Sequence, residues 1–210
     1  MLEGIEVLYH SSIKIKKETI IYFDPFKIDR EYHDADIIFI THNHYDHYSE
    51  EDINKIRKEN TKIVAPLDLL DNLLTFGFTK DNITLVKPNE NHTVKGLTFK
   101  TVPAYNTNKS FHPKEKNWVG YLLDYNGITY YIAGDTDITE ENRQVKCDIA
   151  FVPIGGTYTM NYKEASELIN EIKPKIAVPT HYASIVGKKE DGIKFAKLLD
   201  SEIECKIYIN

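Results

Sequence analysis

The stretch Asp36–His47, with the sequence DIIFITHNHYDH, joins an apolar run to a dense cluster of metal-binding side-chain types. Within it, three imidazoles and one carboxylate stand close together at His42, His44, Asp46 and His47. Neutral imidazole and carboxylate together suit zinc, and also manganese or iron. The cluster therefore predicts a metal site; the alternative is a polar loop whose histidines cap a helix or bond to the backbone.

The spacing of this motif also favours ligands. If the strand at Asp36–Thr41 stays extended through it, His42, His44 and Asp46 fall on one side, because strand side chains alternate with period two. The two histidines would then hold one ion, and the Asp-His pair after them a neighbouring one. The sequence SEED that follows matches a helix N-cap with an acidic residue three positions on. We therefore expect a strand-to-helix loop, where open α/β sheets bind their ligands.

The composition indicates one globular domain over residues 1–210, since 41% hydrophobic and 11% aromatic residues suffice for one substantial core. With 26 Lys and Arg against 32 Asp and Glu, the formal charge is -6, so we expect a small-molecule substrate and no nucleic-acid partner. The apolar runs are too short for a membrane helix, and the N-terminus lacks a signal-peptide profile. We expect a cytoplasmic protein without a membrane partner, with a homo-oligomer left open.

Hydrophobic periodicity predicts strands first and alternating strands and helices later. The Asn126-Gly127 pair between two apolar runs predicts a hairpin, because both residues tolerate positive φ. Predicted strands cover Ile5–Tyr9, Thr19–Phe23, Ile37–Thr41, Lys62–Ala65, Leu97–Val102, Val119–Asp124, Ile128–Ala133, Ile149–Pro153, Ile176–Val178 and Cys205–Ile209. Predicted helices cover Leu67–Phe76, Tyr162–Ile172 and Asp191–Leu199. This mixture predicts an α/β (α+β) fold with helices on the outer faces of the sheets.

Two later predicted strands end in polar residues suited to the same site. Gly134-Asp135-Thr136 follows one strand, and His181 follows another. Taken alone, Asp135 could be the N-cap of a following helix, and His181 could be a satisfied core histidine.

In combination, the motifs T-H-x-H-x-D-H, G-D-T and a strand-terminal T-H resemble the metallo-β-lactamase superfamily, and the resemblance covers nearly the whole chain. Tyr9–Ser12 and Phe23–Phe26 are similar to the G-H-S and D-P-F segments of its cytoplasmic metal-dependent hydrolases, and Pro153–Met160 is similar to their P-I-G-G loop. The lactonase-like and phospholipase-D-like branches are the most similar. The resemblance implies a four-layer αββα sandwich, the metallo-β-lactamase fold.

The resemblance also implies one or two divalent ions, zinc first, with manganese or iron as alternatives. Its implied ligands are His42 and His44 for the first ion, Asp46, His47 and His181 for the second, and Asp135 as a bridge. A metal-bound hydroxide is the implied nucleophile, because a bound divalent ion lowers the pKa of water to about 7. Asp46 would also orient this water or accept its proton. Asp24 would fix an imidazole tautomer, or serve only as a turn residue before Pro25.

The chain departs from the superfamily where a third histidine usually binds the first ion, because Tyr105-Asn106 stands there. His112 is the nearest histidine downstream. It could replace the ligand, act as general acid to the leaving group, or merely cover the site. Asn106 could itself bind through its amide oxygen, although this suits zinc less well than imidazole. A one-metal state is therefore an option.

Other residues of chemical interest lie outside the main motifs. His10 is either a pocket residue or a structural one, while His33 and His92 lie in polar loops and are expected to be exposed. Cys147 and Cys205 form no C-x-x-C pattern, which predicts buried apolar thiols rather than a disulfide or a metal pair.

Two loops are expected to shape the pocket, Thr107–Lys116 and Gly155–Met160. Neither carries a substrate-specific signature. The glycines that open the second loop could present backbone N–H groups to a phosphate or carboxylate. Tyr158, Tyr182 and Trp118 lie beside the site motifs and are candidates for the pocket wall.

The leading hypothesis is therefore a metal-dependent hydrolase of a small ester, lactone or phosphodiester. A non-catalytic sensor of metal or metabolite is the first alternative, favoured by the altered Asn106 position. An RNA-processing nuclease shares the motif, but this chain is short and acidic. A redox di-iron protein of this superfamily usually carries glutamate where His44 stands.

Overall fold

Apolar runs along the chain form two β-sheets, one from residues up to 87 and one from the residues that follow. The computed structural model describes residues 1–209, and the chain divides into two compact units, Met1–Lys87 and Pro88–Asn210. Each unit contains one sheet and its own helices. That residues 1–210 form a single domain stays a prediction.

The sheet of the first unit has six strands in sequential order. They are β1 (Ile5–Tyr9), β2 (Ser12–Lys16), β3 (Ile20–Phe23), β4 (Ala35–Phe39), β5 (Arg57–Pro66) and β6 (Ile83–Val86). The strands from β1 to β3 pair antiparallel, whereas β3 to β6 pair parallel. In β4, Ile37, Ile38 and Phe39 are all fully buried, as expected for a central strand of a parallel sheet.

Helix α1 (Glu50–Ile56) follows the metal-binding motif, and α2 (Leu70–Thr75) follows β5 after a 3-10 turn at Leu67–Leu69. The predicted cap of α1 is confirmed, because the Ser49 hydroxyl accepts a hydrogen bond from the backbone N–H of Asp52. Ile53 and Ile56 of α1 are fully buried in one apolar cluster with residues of the parallel strands. Burial of this face holds the start of the helix, and with it the motif, against the sheet.

The sheet of the second unit has seven strands in the order β13-β12-β11-β10-β9-β8-β7. They are β7 (Asn91–Val94), β8 (Leu97–Pro103), β9 (Val119–Tyr125), β10 (Ile128–Ile132), β11 (Ile149–Pro153), β12 (Ile176–Thr180) and β13 (Glu204–Cys205). The predicted hairpin is confirmed: β9 and β10 pair antiparallel, and Asn126 and Gly127 have φ values of 55° and 71°. The strands from β10 to β13 pair parallel.

Helices α3 (Tyr162–Ile172) and α4 (Lys189–Leu198) alternate with these parallel strands. The structure confirms the capping box of α3, in which Asn161 and Glu164 each accept a hydrogen bond from the other's backbone N–H. Leu168 and Ile169 of α3 are fully buried in the apolar cluster of this unit. Among residues 1–209, no helix combines the length and apolarity needed to cross a bilayer.

The two cysteines behave as the sequence predicts in part. Cys147 and Cys205 are free thiols, partly rather than fully buried, and both pack against the apolar cluster of the second unit. Burial raises the pKa of Cys147 to about 12 and that of Cys205 to about 11. Both side chains therefore act as weakly polar packing groups at neutral pH.

Asp148 joins the start of β11 to the start of β10 and gives the second unit a pH-dependent contact. Its carboxylate lies 2.8 Å from the Lys175 ammonium and accepts hydrogen bonds from the backbone N–H and hydroxyl of Thr129, both at 2.9 Å. The ion pair with Lys175 and the hydrogen bonds from Thr129 lower the pKa of Asp148 to about 2.

We expect Asp148→Asn to lower the free energy of unfolding at pH 7, because it removes the ion pair with Lys175. The expected loss is only about 1 kcal/mol, since the carboxylate is partly exposed. A lowered pKa stabilises the folded state fully above the unfolded-state value of about 4 and loses this effect as the pH falls toward 2. Urea unfolding of both proteins should therefore show a difference that is constant from pH 6 to 8 and shrinks below pH 4. An equal difference at pH 7 and pH 2 would contradict this account.

Candidate metal centre

The metal-binding motif is a turn and not the extended strand predicted from its spacing. Strand β4 ends at Phe39, and the backbone N–H groups of His47 and Tyr48 both donate to the carbonyl of His44, at 3.0 and 2.8 Å. The turn gathers the imidazoles: His42 Nε2 lies 3.1 Å from His44 Nδ1, and the rings of His42 and His47 have centroids 4.0 Å apart. The alternation argument was therefore wrong, although the motif residues do converge within the first unit.

Asp24 fixes the tautomers of two of these imidazoles, one directly and one through Thr41. Its Oδ2 lies 2.7 Å from His47 Nδ1 and accepts a hydrogen bond from the Thr41 hydroxyl at 2.7 Å, while Oδ1 accepts the backbone N–H of Thr41. The Thr41 oxygen in turn lies 2.9 Å from His42 Nδ1. Because both contacts favour a proton on Nδ1, the lone pairs of His47 and His42 lie on Nε2, which makes Nε2 the atom that can bind a metal.

His10 and Asp46 form a second contact in the same cluster. His10 Nε2 lies 3.3 Å from Asp46 Oδ2, and the same oxygen lies 3.7 Å from His47 Nε2. His10 and His47 are almost completely buried, and Asp46 is only 8% exposed. Of the two interpretations of His10, the structure favours the one that places it among the site residues.

The second unit forms its own cluster around Asp135. Asp135 Oδ2 lies 3.0 Å from His181 Nε2 and 3.3 Å from His112 Nε2, and all three side chains are buried. Asp135 is not the N-cap of a following helix, because the next helical turn begins only at Asn142. Asp135 follows β10 and His181 follows β12 at the carboxyl ends of the strands, where α/β sheets place their sites.

Asn106 positions His112 and uses its whole amide group to do so. Its Oδ1 accepts the backbone N–H of His112 at 2.9 Å and lies 3.1 Å from His112 Nδ1, while its Nδ2 donates to the carbonyl of Tyr158 at 2.9 Å. A proton on Nδ1 places the His112 lone pair on Nε2, the atom beside Asp135. The sequence suggested Asn106 only as a direct metal ligand and gave no signal for this supporting contact.

Three of the clustered residues have left-handed backbone conformations. The φ angles are 53° at His10, 44° at Asp24 and 56° at His181. Non-glycine residues adopt such angles at a cost of about 1 to 3 kcal/mol each. The surrounding structure therefore holds these side chains in place against a local backbone preference.

The loop after β11 needs glycine for packing. A Cβ atom on Gly155 would lie 2.3 Å from the carbonyl oxygen of His181, closer than any normal contact. The backbone N–H of Gly156 donates to the carbonyl of Met160, so it is used within the loop and does not serve the anion site suggested by the sequence. Gly155 therefore allows the loop to approach His181 closely.

Of the predicted pocket-wall residues, Trp118 lies edge-on to His112 with centroids 5.7 Å apart, and Tyr158 lies edge-on to Phe111 at 4.7 Å. Tyr182 is fully buried and donates to the carbonyl of Ile209, so it belongs to the core.

The two histidines predicted to be exposed lie outside both clusters. His33 is exposed and contacts the carbonyl of Arg57, as the sequence predicts. His92 is half-buried, because its ring stacks on Phe99 and its Nε2 lies 3.0 Å from a carboxylate oxygen of Glu90. Neither histidine belongs to the candidate centre.

Comparison with known proteins gives consistent matches. Residues 4–181 match the family model described as a Beta-lactamase superfamily domain. The chain is 30% identical over 216 residues to a UPF0173 metal-dependent hydrolase of Thermococcus onnurineus, covering 97% of this chain and 95% of the relative.

Among solved structures, a Parabacteroides distasonis protein described as a candidate metal-dependent hydrolase is 30% identical, with a TM-score of 0.80 over 98% of this chain and 93% of that one. Igni18, a metallo hydrolase of Ignicoccus hospitalis, has a TM-score of 0.76 over 97% of this chain and 93% of its own, at 20% identity, which supports the fold alone. Together with the family match, these similarities confirm the predicted mixed α/β fold class with two sheets.

Proposed function

The chain belongs to the metallo-β-lactamase superfamily, and its relatives of 30% identity are hydrolases by name; on this basis we propose that it uses zinc to cleave a small ester, lactone or phosphodiester in the cytoplasm. The relatives of 30% identity are named as metal-dependent hydrolases, which supports the metal requirement. The lactonase-like or phospholipase-D-like branch is the proposed subgroup.

The proposed metal ligands are His42, His44, Asp46, His47, Asp135 and His181. The donor set fits a divalent ion in each unit taken separately, because buried imidazole nitrogens and carboxylate oxygens lie side by side. In the first unit, ring nitrogens of His42 and His47 lie within 4.8 Å of each other. In the second unit, Asp135 faces the Nε2 atom of His181. Imidazole with carboxylate is a set that zinc prefers, and manganese and iron accept it as well.

One observation carries the proposal: the buried Asp24 carboxylate contacts Nδ1 of His47 directly and reaches His42 through the Thr41 hydroxyl. A histidine that serves only as packing has no need of a charged group that fixes its tautomer. A carboxylate behind an imidazole is the usual support of a metal ligand. When bound, the metal would lower the pKa of water and polarise the scissile group.

Two residues have proposed proton-handling roles. Asp46, whose Oδ2 lies between the imidazoles of His10 and His47, would orient the attacking water or accept its proton. His112, whose Nδ1–H is held by Asn106, would carry a second proton on Nε2, the atom that faces Asp135, and would donate that proton to the leaving group. If His112 binds the metal instead, it replaces the third histidine that this chain lacks at position 106, and the leaving group takes its proton from water.

The test combines metal analysis with a substrate panel. The purified protein should contain zinc, and it should hydrolyse at least one of phenyl acetate, γ-butyrolactone and bis(4-nitrophenyl) phosphate. Removal of the metal by a chelator should abolish this activity, and added zinc should restore it. A metal-free protein without activity on any of the three compounds would contradict the proposal. Cleavage of structured RNA without hydrolysis of the small phosphodiester would favour the nuclease alternative.

A further inference from the structure

Three aromatic side chains from distant parts of the first unit form a continuous row. Tyr9 and Phe26 meet edge to face with ring centroids 5.8 Å apart, and Phe26 and Tyr45 meet edge to face at 5.9 Å. Both separations lie in the range that favours aromatic contact. We call Tyr9, Phe26 and Tyr45 the aromatic row.

The aromatic row lies directly beside the candidate metal centre of this unit. Tyr9 precedes His10, and the two ring centroids are 6.4 Å apart. At the other end of the row, Tyr45 stands between His44 and Asp46 in the metal-binding motif. Because His10 and Asp46 are themselves in contact at 3.3 Å, both ends of the row adjoin one cluster.

The row is presented to solvent on a fixed support. Tyr45 is 66% exposed and Tyr9 is 36% exposed, whereas Phe26 between them is buried. The loop that carries Phe26 is held by helix α1, because the backbone N–H groups of Lys27 and Ile28 donate to the Asp52 carboxylate at 2.9 Å. An exposed aromatic surface that is held by hydrogen bonds next to a candidate metal centre is typical of a ligand site.

A positive charge completes this surface. The Lys27 ammonium lies 5.6 Å from the centroid of the Phe26 ring. Within residues 1–209, Lys27 has no carboxylate partner in an ion pair, unlike Lys14 or Lys58 of the same unit. An unpaired ammonium beside an apolar surface can bind an anion attached to an apolar group.

From this arrangement we propose that the substrate is an apolar, aromatic molecule that carries an anionic group, a carboxylate or a phosphate, remote from the bond that is cleaved. The aromatic row binds the apolar part, and Lys27 binds the anion. This substrate class rests on the proposed hydrolase function, and it selects among esters, lactones and phosphodiesters those with these two features.

Binding of three carboxylic acids to the purified, metal-containing protein tests the proposal without any need for turnover. The probes are acetate, 3-phenylpropanoate and 3-(4-carboxyphenyl)propanoate, measured by isothermal titration calorimetry. The second probe adds an aromatic ring to the first, and the third adds a remote carboxylate. We expect the affinity of the wild-type protein to rise at each step, by about tenfold for the ring and about fivefold for the second carboxylate.

Two variants separate the two contributions. Tyr45→Ala should lower the ratio of the affinity for 3-phenylpropanoate to that for acetate from about tenfold toward one. Lys27→Gln should lower the ratio of the affinity for 3-(4-carboxyphenyl)propanoate to that for 3-phenylpropanoate from about fivefold toward one. Leu67→Ala and Lys80→Gln are matched controls, since Leu67 is 47% exposed and Lys80 is an exposed lysine of the same unit. Both controls should bind all three probes as the wild type does.

Equal affinity of wild type, Tyr45→Ala and Lys27→Gln for every probe would overturn the proposal, and so would equal losses in the control variants. This outcome is distinct from failure of the proposed function, which would appear as graded binding of the probes without hydrolysis of any compound in the panel.

Discussion

Replacement of Asp135 by alanine is expected to lower kcat/KM at least about 1000-fold on whichever panel compound the protein hydrolyses. Asp135 places one carboxylate oxygen within 3.3 Å of both His181 and His112, and all three groups are buried. Loss of this carboxylate removes a proposed metal ligand, and the buried imidazoles of His112 and His181 lose their contact with it. Metal-assisted stabilisation of a transition state is worth several kcal/mol, and each tenfold in rate corresponds to about 1.4 kcal/mol.

Asp148→Asn is the matched control for this experiment. It also removes a carboxylate charge from the second unit, but at the start of β11, whereas Asp135 lies beyond the end of β10. Its kcat/KM should stay within twofold of wild type, while Asp135→Ala should lose its activity and keep a cooperative thermal transition. An Asp135→Ala variant that retains more than a tenth of the activity would remove Asp135 from the proposed centre. If neither wild type nor Asp135→Ala hydrolyses any compound but both respond to a ligand, the protein would instead be a sensor.

Asp24→Asn is expected to weaken zinc binding by about 10- to 100-fold, even though Asp24 is not a proposed ligand. An amide has one acceptor oxygen where the carboxylate has two, and Asp24 accepts from both Thr41 and His47. If the amide NH2 group faces His47 Nδ1, it forces the proton of that imidazole onto Nε2. The lone pair then points away from the metal, and the change spreads to His42 through the Thr41 hydroxyl.

Competition for zinc against a chromogenic chelator measures this effect directly. Asp36→Asn is the control, because Asp36 of the same unit also accepts a backbone N–H, that of Ile20 at 2.9 Å, and pairs with Lys58. The control should bind zinc as tightly as wild type. Asp24→Asn with unchanged zinc affinity would show that Asp24 is only the turn residue before Pro25.

Local patterns in the sequence predicted several elements closely. The bounds of α3, the Asn126-Gly127 hairpin and the cap at Ser49 agree with the structure. Each depends on interactions between residues fewer than five positions apart, which the sequence displays directly. The metal-binding motif was predictable for the same reason, because its donor types stand next to one another.

Features that depend on distant residues were missed. Strand β2 has a lysine at its centre, and the fold accommodates Lys14 by pairing it with Asp34, twenty residues away. The contact between Asn106 and His112 depends on a turn that no periodic pattern reveals. The aromatic row joins residues that lie up to 36 positions apart, so the sequence pointed to Trp118 and Tyr158 as pocket residues instead.

The left-handed backbone at His10, Asp24 and His181 lowers the stability of the fold, but it carries side chains of the candidate centre. Glycine or asparagine at these positions would relax the main chain, but would delete an imidazole or a carboxylate from the clusters. Selection for heat resistance alone would thus favour substitutions that remove these side chains from the clusters. Selection for the proposed activity would instead keep the imidazoles and the carboxylate despite their backbone strain.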